Sequence, residues 1–317
     1  MNQNISDINL SEYDHYFYFG AISMAGYYRL CSEIEKHKNK DKVILCLTTF
    51  GGDPDAGFRI GRALQHHYNG DVTIYIPNVC KSAGTLTAIS AKKIIMNNKG
   101  ELGPLDVQLR KDDELGANNS GLDIFKTLDT LEDRVNTSFN RYLRSVRFGQ
   151  GLSTRMSADI ATKLTAIIIN PIAEQIDPMK IGEHQRATDI AIEYGNRLNQ
   201  TSQGLKDSET SLEKLIRGYP SHGFVIDRKE AKTIFSCVSS ASEDIIKKFS
   251  LIEKLAESSP TSIGRELYVE YLEDFQNDDT SSSNETVDSK EQEPHELPEG
   301  SPSEPAKKNP SKTSRKN

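Results

Sequence analysis

A continuous apolar run at Lys42–Thr48 (KVILCLT) limits the possible folds of this chain more than any other feature. The run does not alternate between apolar and polar residues, and turn residues bound it on both sides. A strand without a polar face is typical of a parallel sheet that helices cover on both faces. The sequence therefore predicts a buried central strand and, with it, an α/β fold.

Strand and helix patterns alternate after this run. A Gly-Gly-Asp-Pro turn leads into residues 55–66, whose apolar side chains recur at helical spacing. Residues 71–77 then alternate as a strand, 82–91 have the small side chains of a buried helix, and 93–97 form a third apolar strand pattern. Three strand–helix steps in succession predict a mostly parallel sheet with right-handed crossovers.

Further along the chain, two long helices and one short strand are predicted. Residues 123–147 and 183–199 have the pattern of amphipathic helices. Residues 223–227 (GFVID) have the pattern of a short late strand. These elements extend the predicted α/β domain to about residue 272.

The composition is too polar for one compact domain of this length. Hydrophobic residues make up 36% of the 317, and charged residues 27%. From Asn277 onward the only aliphatic residues are a valine, a leucine and an alanine, while five of the chain's 12 prolines fall there. Such a segment buries too little apolar surface to offset the entropy of ordering. We therefore predict a folded domain, 1–272, and a disordered polar tail, 273–317, which serves either as a docking segment or as a solubilising terminus.

Charge, apolar runs and cysteines exclude several classes of protein. A net charge of −7 argues against a general nucleic-acid binder. No apolar run approaches the ~20 residues that cross a bilayer, and the N-terminus has no basic start followed by an apolar stretch. The four scattered cysteines indicate reduced packing residues. Together these features predict a cytoplasmic protein with no nucleic-acid and no membrane partner.

The sequence contains no motif for a bound metal, nucleotide or dinucleotide. It has no HExxH segment or Cys/His cluster for a catalytic metal. It also has no Walker A segment for ATP hydrolysis and no GxGxxG after a strand. We therefore predict no cofactor, and any ATP-driven step would fall to a separate ATPase partner.

Two loops at the carboxyl ends of predicted strands are the strongest candidates for a functional site, since sites in open α/β sheets form at this edge. The first, 49–54 (TFGGDP), has paired glycines, which fit either a tight turn or a backbone that approaches a ligand closely. In the second, 78–85 (NVCKSAGT), Ser82 stands where the loop enters a helix. Its hydroxyl suits either an N-cap or a nucleophile beside the positive helix N-terminus.

Three segments resemble a known family. They are TTFGGDPDAGFRIGRAL, PNVCKSAGTLTAISAKKIIMNNKGELGPLD and GYPSHGF. They are similar to the serine dehydrogenase proteinase family of the Clp-protease/crotonase superfamily, which is related to Clp peptidase and signal peptide peptidase A. The resemblance covers roughly residues 15 to 240. It implies a Clp/crotonase-like fold, a serine peptidase acting on peptides or proteins, and a homo-oligomer, for which the helices 123–147 and 183–199 are candidate contacts.

Carried over residue by residue, the resemblance implies Ser82 as the nucleophile, with the backbone N–H groups of Gly52 and Ala83 as the oxyanion hole. Clp peptidases place their histidine after the strand that follows the serine helix, but GELGPLD at that place has none. The serine dehydrogenase proteinase family orders its triad Ser…Asp…His. This chain can supply that order with Asp106 as the orienting carboxylate and His222 as the base.

Two other residues are alternative bases. Signal peptide peptidases use a serine–lysine dyad, and Lys126 falls near the corresponding offset. Burial would have to lower the pKa of that lysine from about 10.4 toward neutrality. His184, at the start of a predicted helix, is the second histidine candidate. His222 also fits a structural turn histidine between Pro220 and Gly223.

Two rival functions fit the same fold. A crotonase-like acyl-CoA enzyme needs an oxyanion hole but no serine nucleophile, and Glu101 and Asp106 would then be its acid and base. A non-catalytic adaptor or scaffold would have kept the fold and lost a working base, which the missing histidine after the third strand indicates. We expect the peptidase, with an acyl-enzyme on Ser82.

Overall fold

The structure is a computed structural model that describes residues 8–105, 108–110, 118–258, 263 and 266–275. Of 108–110 and 118–127 it describes the backbone alone. The predicted tail, 273–317, lies outside the described residues except for 273–275. Asp106 and the side chain of Lys126 lie outside them as well.

Strands and helices alternate along most of the described chain. The strands are β1 (Tyr13–Phe19), β2 (Lys42–Thr48), β3 (Val72–Ile76), β4 (Val79–Cys80), β5 (Lys93–Met96), β6 (Glu101–Leu102), β7 (Gln108–Arg110), β8 (Asn118–Ser120), β9 (Val238–Ser240) and β10 (Tyr268–Tyr271). The helices are α1 (Met24–His37), α2 (Pro54–His67), α3 (Ala83–Ile89), α4 (Gly121–Gly149), α5 (Thr154–Ala173), α6 (Pro178–Ser202), α7 (Ser208–Arg217), α8 (Arg228–Ile234), α9 (Glu243–Lys248) and α10 (Ser250–Ser258). None of these described helices is both long and apolar enough to cross a membrane.

The central sheet has six strands in the order β10-β1-β2-β3-β5-β9. Neighbouring strands are parallel, except that β10 runs antiparallel to β1 at one edge. Strand β2 has the predicted bounds, and it lies between β1 and β3 inside the sheet. The prediction of an α/β fold with a mostly parallel sheet flanked by helices is confirmed.

The apolar run of β2 is continuous because both faces of the sheet are covered. Val43 and Leu45 point into a core that α1, α2 and α3 share, whereas Ile44 and Cys46 point into a second core with α9 and α10. Successive side chains of a strand point to opposite faces. An apolar residue at every position is therefore the pattern of a strand between two layers of helices.

The other predicted elements were found with shifted ends, with one exception. The helices predicted at 55–66, 123–147 and 183–199 correspond to α2, α4 and α6. The strand predicted at 223–227 is wrong, since Ile226 alone pairs there, through an isolated antiparallel bridge to Leu102. A turn at His222 and Gly223 precedes this bridge and α8 begins two residues after it, so the extended stretch between them is short.

A second, smaller set of strand pairings lies at the carboxyl ends of the sheet. Strands β4 and β6 pair in parallel. On one side of this pair Thr49 bridges to Cys80, and on the other Ile226 bridges to Leu102. These pairings hold the loops after β2, β3 and β5 together at the sheet edge where sites of α/β proteins form.

Candidate active site

Ser82 lies in a strained turn between β4 and α3. Its φ of 52° and ψ of −117° form a combination that residues with a side chain rarely adopt. Among the described residues other than glycine, Asn69 and Gln203 also have a positive φ, and Gln203 has the ordinary left-handed ψ of 29°. The Ser82 hydroxyl makes no capping hydrogen bond to α3 in the described part of the chain. The interpretation of Ser82 as a hydrogen-bonding N-cap is therefore wrong.

Neighbouring glycines make room for this turn. A Cβ atom on Gly51 would lie 2.7 Å from the Cβ of Ser82 and 3.3 Å from its Oγ. A Cβ atom on Gly84 would lie 2.4 Å from Cγ2 of Thr49. The loop after β2 therefore lies directly against the serine turn, and a hydrogen bond of 3.0 Å from the Lys81 N–H to the Thr49 carbonyl joins them.

The N–H of Gly52 points away from its neighbouring strand. Ile22 donates its N–H to the carbonyl of Gly51, and the Ile22 carbonyl accepts from Asp53, both at 2.9 Å. Because Ile22 bonds to the residues on either side of Gly52, the N–H of Gly52 itself points the other way. That N–H has no hydrogen-bond acceptor among the described residues. Only glycine fits here, since φ is 148° and a Cβ atom would lie 2.2 Å from the Ile22 carbonyl oxygen.

The first turn of α3 presents a second free donor. The N–H of Gly84 bonds to the Lys81 carbonyl at 2.9 Å, and that of Leu86 bonds to the Ser82 carbonyl at 3.0 Å. The N–H of Ala83 has no acceptor in the part of the chain that the structure describes. Amides at a helix start lack intrahelical acceptors and carry a partial positive charge, so they bind anions.

Lys81, the residue before Ser82, contacts two other segments. Its Nζ lies 2.9 Å from Oε1 of Glu101 and donates a 3.1 Å hydrogen bond to the backbone carbonyl of Gly223. The side chain is 14% exposed. Its stem lies against Gly103, where a Cβ atom would be 2.9 Å from Cγ of Lys81. Lys81 thus joins the serine turn to β6 and to the turn that contains His222.

Thr85, in the first turn of α3, holds the chain beyond β6. Its Oγ1 donates to the Gly103 carbonyl at 2.8 Å and accepts from the Gly103 N–H at 3.3 Å. Thr85 is fully buried. Downstream, the N–H of Leu105 bonds to the Leu215 carbonyl at 2.9 Å. The described chain that precedes Asp106 in sequence is therefore tied to the serine helix.

Two other reactive side chains near the serine are either protonated or paired with a neighbouring charge. Burial raises the pKa of the Cys80 thiol, so that thiol stays protonated at neutral pH and does not compete as a nucleophile. Glu101, an acid in the acyl-CoA alternative, forms an ion pair with Lys81. Within the described ranges no group of three His, Cys, Asp or Glu side chains could hold a metal ion.

The structure brings several, but not all, of the predicted site residues together. Ser82, Gly52 and Ala83 meet at the carboxyl edge of the sheet. Lys81, which precedes Ser82, donates a hydrogen bond to Gly223, which follows His222. The side chain of His222 is partly exposed. His184 lies within α6 and is 1% exposed.

The contacts of Lys81 and Thr85 were missed by reasoning from the sequence. Both residues flank Ser82, at positions one before it and three after it. Their nearness to the nucleophile candidate is the one sequence signal that could have drawn attention to them. Their partners, Gly223 and Gly103, carry no side chain, so nothing in a sequence pattern indicates these hydrogen bonds.

Comparison with known proteins finds the family that the motifs indicate. Residues 28–123 match the family model of the ClpP-like SDH-type serine proteinases. The match includes the glycine loop and Ser82, and it ends before the GYPSHGF segment that contains His222. The resemblance to the serine dehydrogenase proteinase family is therefore confirmed over this range.

Individual relatives are more distant or match only in part. The uncharacterized protein MJ0137 of Methanocaldococcus jannaschii is 42% identical over 71 residues, which are 22% of this chain and 24% of that protein. The chain thus spans about a quarter of the length of this curated relative.

Two solved structures of the 1510-N membrane-bound stomatin-specific protease are also similar. One is a serine-to-alanine variant, 18% identical, which covers 73% of this chain and 96% of its own. The other is a lysine-to-alanine variant in complex with a substrate peptide, 19% identical, which covers 76% of this chain and 97% of its own. Both have a TM-score of 0.29, which is a low overall similarity.

Proposed function

We propose that this protein is a serine peptidase that hydrolyses peptide bonds through an acyl-enzyme on Ser82. The observation that carries the proposal is the backbone of Ser82, which is strained at φ 52° and ψ −117° while its hydroxyl caps no helix amide among the described residues. Serine nucleophiles of α/β hydrolases sit in strained strand-to-helix turns of this kind, which expose Oγ. The matching family model, one of serine proteinases, supports the same activity.

Gly52 and Ala83 are the proposed oxyanion donors. Each N–H is without an acceptor in the described chain, and Gly51 and Ser82 bring the two donors to the same turn. A tetrahedral intermediate places a negative oxygen next to the attacked carbon, where fixed backbone donors stabilise it without reorganisation. One such donor contributes about 10²–10³-fold to kcat in serine peptidases.

His222 is the proposed general base, and Asp106 is the residue proposed to orient it. His222 accepts the proton of the Ser82 hydroxyl as Oγ attacks the carbonyl carbon of the substrate. It then gives that proton to the departing amine, the C–N bond breaks, and a water molecule hydrolyses the resulting ester in the same way. The contact between Lys81 and Gly223 supports His222, because it draws the histidine turn toward the serine turn.

The nucleophile is tested by replacing Ser82 with alanine. We expect Ser82→Ala to lose both peptidase activity and labelling by a fluorophosphonate, a reagent that phosphonylates activated serine hydroxyls. Ser258→Ala is the matched control, because Ser258 is exposed at the end of α10, and it should be labelled like the wild type. Labelling of Ser82→Ala at the wild-type rate would refute the proposal.

The base is tested by three parallel variants. We expect His222→Ala to slow labelling at pH 7 by about 10²-fold or more, the usual contribution of a general base. Lys126→Ala and His184→Ala should stay within a few-fold of the wild type. Loss of labelling in Lys126→Ala together with full labelling in His222→Ala would replace the histidine with a serine–lysine dyad.

Self-association is proposed through the apolar face of α5. Leu164, Ile168 and Ile172 follow one another at intervals of four residues and are exposed by 38%, 48% and 46%. On the same side of the helix, seven residues before Leu164 and Ile172, the buried residues Ser157 and Thr165 have small or polar side chains. The aliphatic side chains of Leu164, Ile168 and Ile172 stay exposed in the single chain, which leaves them for another subunit. Peptide substrates, a separate ATPase partner and a cytoplasmic location stay predictions.

A further inference from the structure

We infer that Lys81 is a positioning residue that holds the His222 turn against the serine turn. The inference rests on the proposed function, in which His222 is the base for Ser82. Lys81 immediately precedes Ser82, and its Nζ donates to the carbonyl of Gly223, which immediately follows His222. One hydrogen bond of 3.1 Å therefore joins the chain beside the nucleophile to the chain beside the base.

Two further contacts hold the Lys81 side chain in place. Glu101 pairs with it at 2.9 Å, and Glu101 belongs to β6, whose partner strand β4 leads directly into the serine turn. The Lys81 stem passes over Gly103, where any side chain would collide with it. A charged donor that is largely buried and already paired makes a stronger hydrogen bond to a carbonyl than an exposed lysine would.

The turn that Lys81 holds has an exposed surface. Ser221, Gly223, Phe224 and Val225 are exposed, and the chain is next paired at Ile226, by two hydrogen bonds of 2.9 Å with Leu102. A turn with so much exposed surface gains little rigidity from burial of its own side chains. The contact from Lys81 therefore contributes strongly to where the His222 backbone lies.

The role is positional because proton transfer tolerates little displacement. A general base acts at about 2.6–3.2 Å from the proton donor, and a misplacement of about 1 Å costs about 10²-fold in rate. Lys81 directs its ammonium at Gly223 and Glu101. Its loss should therefore lower kcat and the labelling rate of Ser82 about 10- to 100-fold and leave KM nearly unchanged.

The first test compares three lysine variants in the full chain. Lys81→Met keeps the apolar stem and removes the donor, whereas Lys81→Arg retains a charged donor. Lys99→Met is the matched control, since it removes an ion pair with Glu257 in which both side chains are more than half exposed. We expect 10- to 100-fold slower fluorophosphonate labelling for Lys81→Met, recovery to within a few-fold for Lys81→Arg, and the wild-type rate for Lys99→Met.

A double variant separates positioning from a general loss of structure. If Lys81 acts through His222, then Lys81→Met should slow labelling no further once His222 is alanine. Single variants whose effects add would mean that Lys81 acts elsewhere. Equal slowing in both backgrounds, or wild-type labelling by Lys81→Met, overturns the inference.

Hydrogen exchange keeps the inference testable if the proposed function fails. Amides 222–226 should exchange faster in Lys81→Met than in the wild type, and Lys99→Met should not change them. A wild type that no probe labels would reject the peptidase, while faster exchange in Lys81→Met would still support the role of Lys81 in holding the His222 turn. Unchanged exchange in Lys81→Met would reject that role even if Ser82 is labelled.

Discussion

Ser82 carries a side chain where the backbone conformation favours glycine. A positive φ costs a residue with a Cβ atom about 1–2 kcal/mol, and such strain persists only where the surroundings impose it. Here the hydrogen bond from Lys81 to Thr49 and the close approach of Gly51 impose it. The strain is thus a property of one residue that its neighbours maintain.

This strain predicts an unusual order of stability among variants of Ser82. Ser82→Gly should be more stable than Ser82→Ala by about 1 kcal/mol, because relief of the positive φ exceeds the 0.4–1 kcal/mol or so that glycine loses through unfolded-state entropy. Urea denaturation of both variants measures the difference. At Ser90, where φ is −67°, the order should reverse. A Ser82→Ala variant as stable as Ser82→Gly would contradict the strain.

Single residues also differ in how far the sequence predicts them. Ser82 and Gly52 are candidates from the sequence alone, because a serine at a helix start and paired glycines after a strand are local patterns. The hydrogen bond from Lys81 to Gly223 could not be predicted, since its acceptor lies 142 residues away and is a backbone carbonyl. A long-range bond to a backbone atom leaves no mark on residue types.

Among the elements, β10 closes one edge of the sheet with the last described residues. It pairs with β1 antiparallel, and Glu273 follows it. A Glu273 carboxylate oxygen lies 3.0 Å from Nδ1 of His15 and 2.9 Å from Nζ of Lys248. The edge strand is therefore joined to β1 by backbone pairing, and side-chain contacts of Glu273 join its end to β1 and α9.

These contacts predict a loss of stability in acid. Burial alone would raise the pKa of Glu273, but hydrogen bonds with His15 and Lys248 lower it from 4.5 to about 2. A carboxylate with a depressed pKa contributes stability that is present above its unfolded pKa and is lost as the pH falls toward the folded value. Since a third of the side chain is exposed, we expect on the order of 1 kcal/mol.

Denaturation at a series of pH values measures this contribution. Glu273→Gln should flatten the dependence of unfolding free energy on pH between about 4.5 and 2. Glu257→Gln is the control, because its pair with Lys99 is exposed and contributes little. If both variants, or neither, flatten the profile, the contacts of Glu273 are not the cause.

At the scale of the whole molecule, the outward apolar face of α5 predicts an oligomer. Ile168→Glu would place a charge in the proposed interface, so we expect it to be monomeric while the wild type is larger. Lys163→Gln, on the same helix and exposed, should keep the wild-type mass. Light scattering after gel filtration measures the masses. A monomeric wild type, or an Ile168→Glu variant of wild-type mass, would exclude this interface.

The whole site depends on segments that are far apart in the chain. Loops after β2, β3 and β5 meet at one sheet edge, and the turn with His222 joins them through the bridge between Leu102 and Ile226. The match to the family model ends at residue 123, so the proposed base comes from beyond it. If His222 is the base, as proposed, the place after the third predicted strand needs no histidine.

By itself, the sequence determined the α/β class, the bounds of β2 and the candidate nucleophile, because apolar runs, helical spacing and loop glycines are local properties. It did not determine what GFVID forms: the pattern fits a strand, yet one residue pairs there, because a turn precedes it and α8 follows at once. Only the tertiary structure decided that Lys81 joins the serine turn to the histidine turn and that β10 closes the sheet beside β1. Those contacts join atoms far apart in sequence, many of them backbone atoms, which residue types alone do not specify.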